Sequence, residues 1–350
     1  MKKTLALILA LLMCVSFFAA CAGKNNSTDE TTDGNGTSAA ADTTAEENSY
    51  TGPIRVFTLK GPTGMGMAKL MSDNDAGATE QKYAFTVASS PDEFTGEIVQ
   101  GNFEIAAVPT NLAAVLNSKT NGAVSVAAVN TLGVLYILEN GETVKSINDL
   151  EGKTIYSSGQ GAVPEYALNY ILSAFGVKCE VIYEAEHDAV VSDLMSGKAT
   201  IAVLPEPKVT AALKNENAPA GLRTALDLTK LWDEACTIKG DSSTLYMGCV
   251  IVNNKWADAN SDAVDKFIEE YKNSVNFVNS DYNAASEMIA NYGIIPKAGL
   301  AKAAIPSSNI VCIDGSQMKK GLSGFYNVLF GYNPASVGGQ LPEDSFYYGA

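Results

Sequence analysis

Hydrophobic and polar positions change register three times along this chain. From Leu5 to Phe18 the residues are almost all apolar, behind Lys2 and Lys3 and ahead of Ala19-Ala20-Cys21. From Ala22 to Ser49 the only apolar side chains are alanines among Ser, Thr, Asn, Asp, Glu, Lys and Gly. From about Tyr50 onward, short apolar runs with strand character alternate with stretches of helical spacing, which predicts an α/β fold with a mostly parallel sheet.

The first lobe of that alternation reads as follows. Ile54 to Thr58 is a strand, Gly61-Pro62-Thr63-Gly64 a turn, and Met65 to Met71 a helical run. Tyr83 to Ala88 is a second strand and Pro91 starts a helix ending near Gly101. Phe103 to Val108 is strand, Thr110 to Asn117 helix, and Val124 to Val129 strand. Beyond Leu132 the grammar restarts. Leu135 to Leu138 and Lys153 to Tyr156 are strands, and Ser146 to Leu150 is a short helical turn. Ser157-Ser158-Gly159-Gln160-Gly161 opens a helix through Phe175 that Gly176 stops. Val181 to Tyr183, a helix from Asp188 to Ser196 ended by Gly197, and Ile201 to Leu204 complete a second lobe.

Tyr246 to Val252 is a long apolar strand, and the remainder reads as helical. Val264, Phe267, Ile268, Tyr271, Val275 and Val278 fall on one face of a helix between Asp262 and Asn279. Asp281 to Asn291 and Gly315 to Phe330 are further helices. Helices alone cannot extend a sheet, so they are expected to return and cover the first lobe. The expected organisation is a first lobe from residues 51–132 and 250–350, and a second lobe from 133–249. Chain crossings near Thr131 and Gly248 leave a cleft lined by strand-end residues.

The two amino-terminal zones add a location. A basic dipeptide, an apolar run shorter than the roughly 20 residues a span needs, and small residues before Cys21 have the layout of an export signal ending at a lipid-attachment cysteine. Residues 1–20 are therefore expected to be a lipoprotein signal peptide, with Phe18 where leucine is more usual. Residues 21–50 cannot bury enough surface to offset chain entropy, and read as a disordered tether holding the folded part outside the cytoplasmic membrane.

Charge removes other classes. The formal net charge is -15, and loss of Lys2 and Lys3 with the leader takes it to -17. Nucleic-acid binding needs cations against phosphates, so no nucleic-acid partner is expected. Anionic lipid would not attract the chain by charge, which leaves Cys21 as the membrane attachment. Beyond Cys14 and Cys21, the cysteines are Cys179, Cys236, Cys249 and Cys312. No pair has CxxC spacing and His187 is the single histidine, so no metal and no cofactor are expected. A Cys236–Cys249 disulfide across Gly240-Asp241-Ser242-Ser243 is one reading; four small buried thiols is the other.

The signal layout, Gly61-Pro62-Thr63-Gly64-Met65-Gly66, the Ser157-to-Gly161 loop, Leu204-Pro205-Glu206-Pro207 and Tyr246-Met247-Gly248-Cys249 together resemble solute-binding lipoproteins of ABC importers. Within these the chain is similar to the nitrate, sulfonate and thiamine-pyrimidine-precursor group, of type II periplasmic binding-protein fold. The resemblance spans nearly all of residues 53–350. It implies a monomer that closes two lobes on a small solute, nitrogen-heterocyclic or sulfonate-type, and delivers it to a membrane permease with its ATPase. The alternatives are a sensor lipoprotein that presents its ligand, or an enzyme on the same fold.

Candidate ligand residues follow from geometry and resemblance together. Gly64 and Met65 sit at a helix start, where free backbone N–H groups favour an acceptor. Ser158, Gly159, Gln160 and Gly161 offer the same from the second lobe. Pro109, Thr110 and Asn111 end the third strand; Asn130 and Thr131 end the fourth. The resemblance implies a polar contact at Glu206, whose carboxylate would suit an amine or a ring N–H; the other reading is a helix-start residue that complements the dipole. Tyr246 and Met247 at the second crossing could stack on a planar ring, or be core residues of their strand. Catalysis would need a base beside a nucleophile. His187, between Glu186 and Asp188, reads as a solvated neighbour of a helix cap, so the protein is expected not to be an enzyme.

Overall fold

This computed structural model describes residues 52–350; the expected signal peptide, Cys21 and the tether lie outside the described residues. The chain opens with β1 (Ile54–Leu59), α1 (Pro62–Met65), α2 (Ala68–Asp75), β2 (Tyr83–Ala88) and α3 (Asp92–Gln100). β3 (Ile105–Pro109), α4 (Thr110–Lys119), β4 (Val124–Leu132) and β5 (Leu135–Asn140) follow. Next come β6 (Thr154–Ser157), α5 (Val163–Phe175), β7 (Glu180–Tyr183), α6 (His187–Ser196), β8 (Ile201–Pro205) and α7 (Lys208–Leu213). β9 (Leu222–Asp227), α8 (Leu228–Lys239), β10 (Tyr246–Asn253), α9 (Asn254–Ala259) and α10 (Ser261–Ser280) carry the chain onward. α11 (Tyr282–Asn291), α12 (Ala298–Ala304), β11 (Ile310–Asp314) and α13 (Gly315–Tyr332) complete it.

These strands form two sheets. One is six-stranded, in the order β11-β4-β10-β3-β1-β2, and the other five-stranded, in the order β7-β6-β8-β5-β9. The sheets are mixed rather than mostly parallel. β1 runs parallel to β2 and β3, and β6 to β7 and β8. β10 lies antiparallel to β3 and β4, β11 to β4, and β5 to β8 and β9. For β5 and β10 the reason is the crossing: a strand that enters a sheet from the other lobe, rather than over a helix packed on its own sheet, arrives in the reverse direction, and β11 runs in the direction of β10. The six-stranded sheet thus takes strands from both sides of the five-stranded one in sequence.

Burial follows the two-residue period of a strand covered on both faces. In β10, Cys249 and Ile251 enter one apolar cluster while Val250 and Val252 enter another. The first cluster is continuous between the sheets, through α4, α5, α8 and α13; the second lies under α2, α10 and α11. α10 and α11 pack on the first sheet, while α13 lines the cluster between the sheets. In α10, Ser274 Oγ donates to Gly66 O at 2.6 Å and accepts from Leu70 N at 3.0 Å. Gly176 and Gly197 end α5 and α6 in left-handed conformation, with φ of 69° and 75°.

No disulfide forms among the described residues. Cys179, Cys236, Cys249 and Cys312 are free thiols. The chain between Cys236 and Cys249 runs from the end of α8 into β10 instead of folding back as a hairpin. Cys249 is fully enclosed in the sheet, where burial pushes its thiol pKa up. Cys236 takes a hydrogen bond from Tyr170 Oη at 3.6 Å.

One buried ion pair holds the edge of the second sheet. Glu139 on β5 lies opposite Arg223 on β9, and Arg223 Nη2 donates to Glu139 Oε2 at 2.6 Å. Burial raises the Glu139 pKa, but the hydrogen bonds from Thr143 and Val144, with the Arg223 charge, outweigh it and leave the carboxyl below its usual range. A depressed carboxyl pKa contributes stability above the unfolded value of about 4.3, lost as pH falls through the folded value. Arg223→Met should therefore cost about 2–3 kcal/mol at neutral pH, below the ~3–5 kcal/mol of a fully enclosed pair because Arg223 is partly solvated. Urea unfolding at pH 7 and at pH 3 checks this: the gap between the two proteins should shrink in acid.

Candidate functional site

The carboxyl ends of β1, β3, β4 and β8 gather around the chain crossings. β4 ends at Leu132 and β5 starts at Leu135, with Leu135 paired to Pro205 at the end of β8. β10 enters beside them, pairing Gly248 with Pro109 and with Thr131. A methyl built on Gly248 would overlap Asn130 Oδ1 and come within 3.2 Å of both Thr131 Oγ1 and Thr63 Oγ1. Only glycine lets these three polar side chains converge. From the second sheet, Pro207 lies against Gly61 of the first: a methyl on Gly61 would meet Pro207 Cδ at 3.7 Å.

Three buried polar atoms at these strand ends find no partner in the protein: Thr58 Oγ1, Asn111 Oδ1 and Asn130 Nδ2. They belong to the end of β1, the start of α4 after β3, and the end of β4. The Asn130 side chain is half satisfied, since its Oδ1 accepts from Thr131 Oγ1 at 2.9 Å. A buried polar atom left unpaired costs about 1–3 kcal/mol. Structures tolerate such groups where something else is bound.

Glu206, just past β8, is 4 % exposed. Its carboxylate accepts from Thr210 N at 3.2 Å, Thr210 Oγ1 at 3.0 Å and Ser307 Oγ at 2.7 Å. Ser307 lies in a 3₁₀ turn shortly before β11 of the other sheet, so Glu206 joins the two lobes. The Ser307 carbonyl also accepts from Tyr136 Oη on β5 at 3.2 Å. Burial raises the Glu206 pKa against these three hydrogen bonds. None of its hydrogen-bond partners is basic.

The remaining expected residues divide. Thr110 Oγ1 donates to the Tyr246 carbonyl at 2.7 Å, which ties the third strand end to the second crossing. The Tyr246 ring, however, is packed edge-on against Phe325 of α13 at 5.9 Å, as a core group. Met65 is wholly buried in the core beneath α2 and α10. The N–H groups of Gly64 and Met65 are not free: both donate to Gly61 O, at 3.0 and 3.1 Å, because α1 is a single turn closed on itself. Gly161 N is likewise taken by Glu165 Oε2 at 2.6 Å. Gln160 and Gly161 are exposed, while Ser158 is 2 % exposed and Gly159 adopts φ 76°.

His187 is not a solvated cap neighbour. It is half-buried at the start of α6, and its Nδ1 shares a short hydrogen bond with Ser158 Oγ. Burial, then the Lys208 charge, hold its pKa below the usual imidazole value, opposed by Glu186 and Asp188. Thr58, Thr63 and Ser307 are members of this region that are not among the expected site residues. The polar run Ser307-Ser308-Asn309 ahead of an apolar strand was the one signal available for Ser307. Among the described residues no three His, Cys, Asp or Glu side chains gather as metal ligands.

Two mixed sheets joined by two crossings, with strand ends facing the junction, define a type II periplasmic binding-protein fold. An ABC transporter protein from Parabacteroides distasonis superposes with TM-score 0.70 at 22% identity, over 84% of this chain and 98% of that one. The aliphatic sulphonate binding protein SsuA of Escherichia coli gives TM-score 0.65 at 14% identity, over 84% and 95%. The alkanesulfonate-binding SsuA of Xanthomonas axonopodis, bound to MOPS, gives 0.60 at 13%, over 83% and 94%. The NMT1/THI5-like family model matches residues 100–285, and the chain belongs to that family. No curated protein matches it in sequence.

Proposed function

We propose that this protein is the solute-binding component of an ABC import system, carried outside the cytoplasmic membrane on a lipid at Cys21 and handing its solute to a permease with its ATPase. The observation that carries the reading is the trio of unpartnered buried polar atoms, on Thr58, Asn111 and Asn130, at the strand ends where the two lobes join. The site is formed by Thr58, Thr63, Thr110, Asn111, Asn130 and Thr131 from the first lobe, with Ser158, Gly159 and Glu206 from the second. Closure is a two-state equilibrium that a solute biases by touching both lobes. The lobe limits are residues 51–132 with 250–350, and residues 133–249.

Glu206 narrows the solute. A buried carboxylate with no basic partner repels an oxyanion, and the N–H groups of Gly64, Met65 and Gly161 that could hold one are already engaged. A nitrogen heterocycle with N–H donors, or an amine, fits better than a sulfonate. A thermal-shift screen of pyrimidines, flavin-like rings, sulfonates, nitrate and polyamines tests this, since a solute that binds only the folded state raises the melting point. The expected result is a rise with a ring N–H or amine compound and none with sulfonate or nitrate. For the compound found, Glu206→Gln should weaken binding at least about tenfold, or ~1.4 kcal/mol, by titration calorimetry. Unchanged affinity would remove Glu206 from the site.

A catalytic reading meets one pair of suitable groups, Ser158 with His187. Among the described residues no carboxylate hydrogen-bonds the other imidazole nitrogen to orient it, as such a pair needs.

A further inference from the structure

The loop between β6 and α5 is held mostly by its own bonds. Ala162 N donates to Gly159 O, Gly161 N to Glu165 Oε2, and Ser157 Oγ to Ser158 O. Two ties reach it from the stretch after β7. One is a backbone bond, Glu184 N to Ser157 O at 2.9 Å; the other is the side-chain bond between Ser158 Oγ and His187 Nδ1. Ser158 is almost fully buried, so its hydroxyl has few partners to choose from.

We propose that His187 is a positioning residue for this loop: its protonation state decides whether the Ser158 hydroxyl hydrogen is spent on the imidazole or turned to another acceptor. With the imidazole neutral and its proton on Nε2, Nδ1 is an acceptor and Ser158 donates to it. When a proton is added at Nδ1, that nitrogen becomes the donor, Ser158 Oγ becomes the acceptor, and the hydroxyl hydrogen must rotate away. The heavy atoms stay in place while the polarity of the serine reverses. One proton is gained from solvent and no bond is broken. The solute-binding reading is needed only for what the loop then contacts; an acceptor atom of a solute beside Ser158 would gain a donor in acid.

The charges around the imidazole are few. Glu186 and Asp188 flank it on its own stretch, and Lys208 faces it from α7, where Lys208 Nζ also pairs with Asp188 Oδ1 at 2.5 Å. β6 and β8 also pack on α6, and neither Thr154–Ser157 nor Ile201–Pro205 carries a charged residue. Burial and Lys208 favour the neutral ring, which places the reversal on the acid side of the usual imidazole range.

Because His187 is the only histidine, the full-length protein labelled with ¹⁵N-histidine and ¹⁵N-glycine shows one imidazole. At pH 8 its Nδ1 should be the unprotonated, hydrogen-bonded nitrogen and Nε2 should carry the proton. As pH falls, the Gly159 amide signal should shift with the same midpoint as the ring. Ser158→Ala and His187→Gln should abolish the Gly159 shift, and Ser158→Thr, which keeps a hydroxyl, should restore it. A proton on Nδ1 at pH 8, a Gly159 signal indifferent to the imidazole titration, or a Gly159 shift that survives in Ser158→Ala overturns the proposal. If Ser158→Ala does not fold, the wild-type ring state and the shared midpoint decide alone. No solute is present in any of these samples, so failure of the solute screen leaves the outcome intact.

Discussion

Trp232→Ala is expected to lower the stability of the protein by about 3–5 kcal/mol, the range for removing a large aromatic from a core. Trp232 is completely buried on α8, with its ring 4.6 Å from Tyr170 of α5 and 5.7 Å from Phe325 of α13. α5 and α8 pack on the second sheet's side of the shared core, and α13 reaches it from the first. The substitution therefore empties the packing that joins the lobes, not the interior of one. Trp232 Nε1 has no hydrogen-bond partner, so Trp232→Phe relieves a buried unpaired donor while losing volume, and should cost well under half as much. Urea unfolding followed by circular dichroism separates the two. Equal losses would mean that the indole contributes through something other than its bulk.

Gly64→Ala is the second large effect. A methyl at Gly64 would overlap the Leu59 carbonyl oxygen and press on Ile294 at 3.4 Å. The first obstacle is backbone, and it belongs to the last residue of β1, so the turn from β1 into α1 must move as a unit. The expected loss is about 1–3 kcal/mol, with solute affinity falling as Thr63 is displaced. Gly161→Ala provides the contrast. Nothing lies within 4 Å of a methyl there, so only its φ of 75° opposes the change, at about 1 kcal/mol. Thermal unfolding of the two variants should rank them in that order.

The pattern of the chain revealed much of the architecture and less of the site. β2 over Tyr83–Ala88 and the amphipathic α10 were legible residue by residue, because each buries one face at a single period. β9 and β11 were not. Each is a short, half-exposed strand at the edge of its sheet, and Ile310–Asp314 becomes a strand only by pairing with β4. The antiparallel entry of β10 was invisible for the same reason, since direction in a sheet is a relation between strands and not a property of one.

For the site, strand-end polar residues such as Thr110, Asn130 and Thr131 could be nominated because an α/β fold puts binding groups there. Whether their atoms were free could not be read. The N–H groups of Gly64, Met65 and Gly161 looked available in the sequence and prove to be used by Gly61 and Glu165.

What the sequence by itself determined is therefore the grammar: two α/β lobes, an amphipathic α10, glycine stops after α5 and α6, and a carboxylate after β8. These depend on periodicity and local backbone preference, which neighbouring residues set among themselves. Only the tertiary structure decided that Ser307 meets Glu206 across the lobes, that Ser158 meets His187, that Gly248 makes room for Thr63 beside Asn130, and that the cysteines stay apart. Those are contacts between residues from about 30 to nearly 200 positions apart, chosen by how whole elements pack rather than by any local preference.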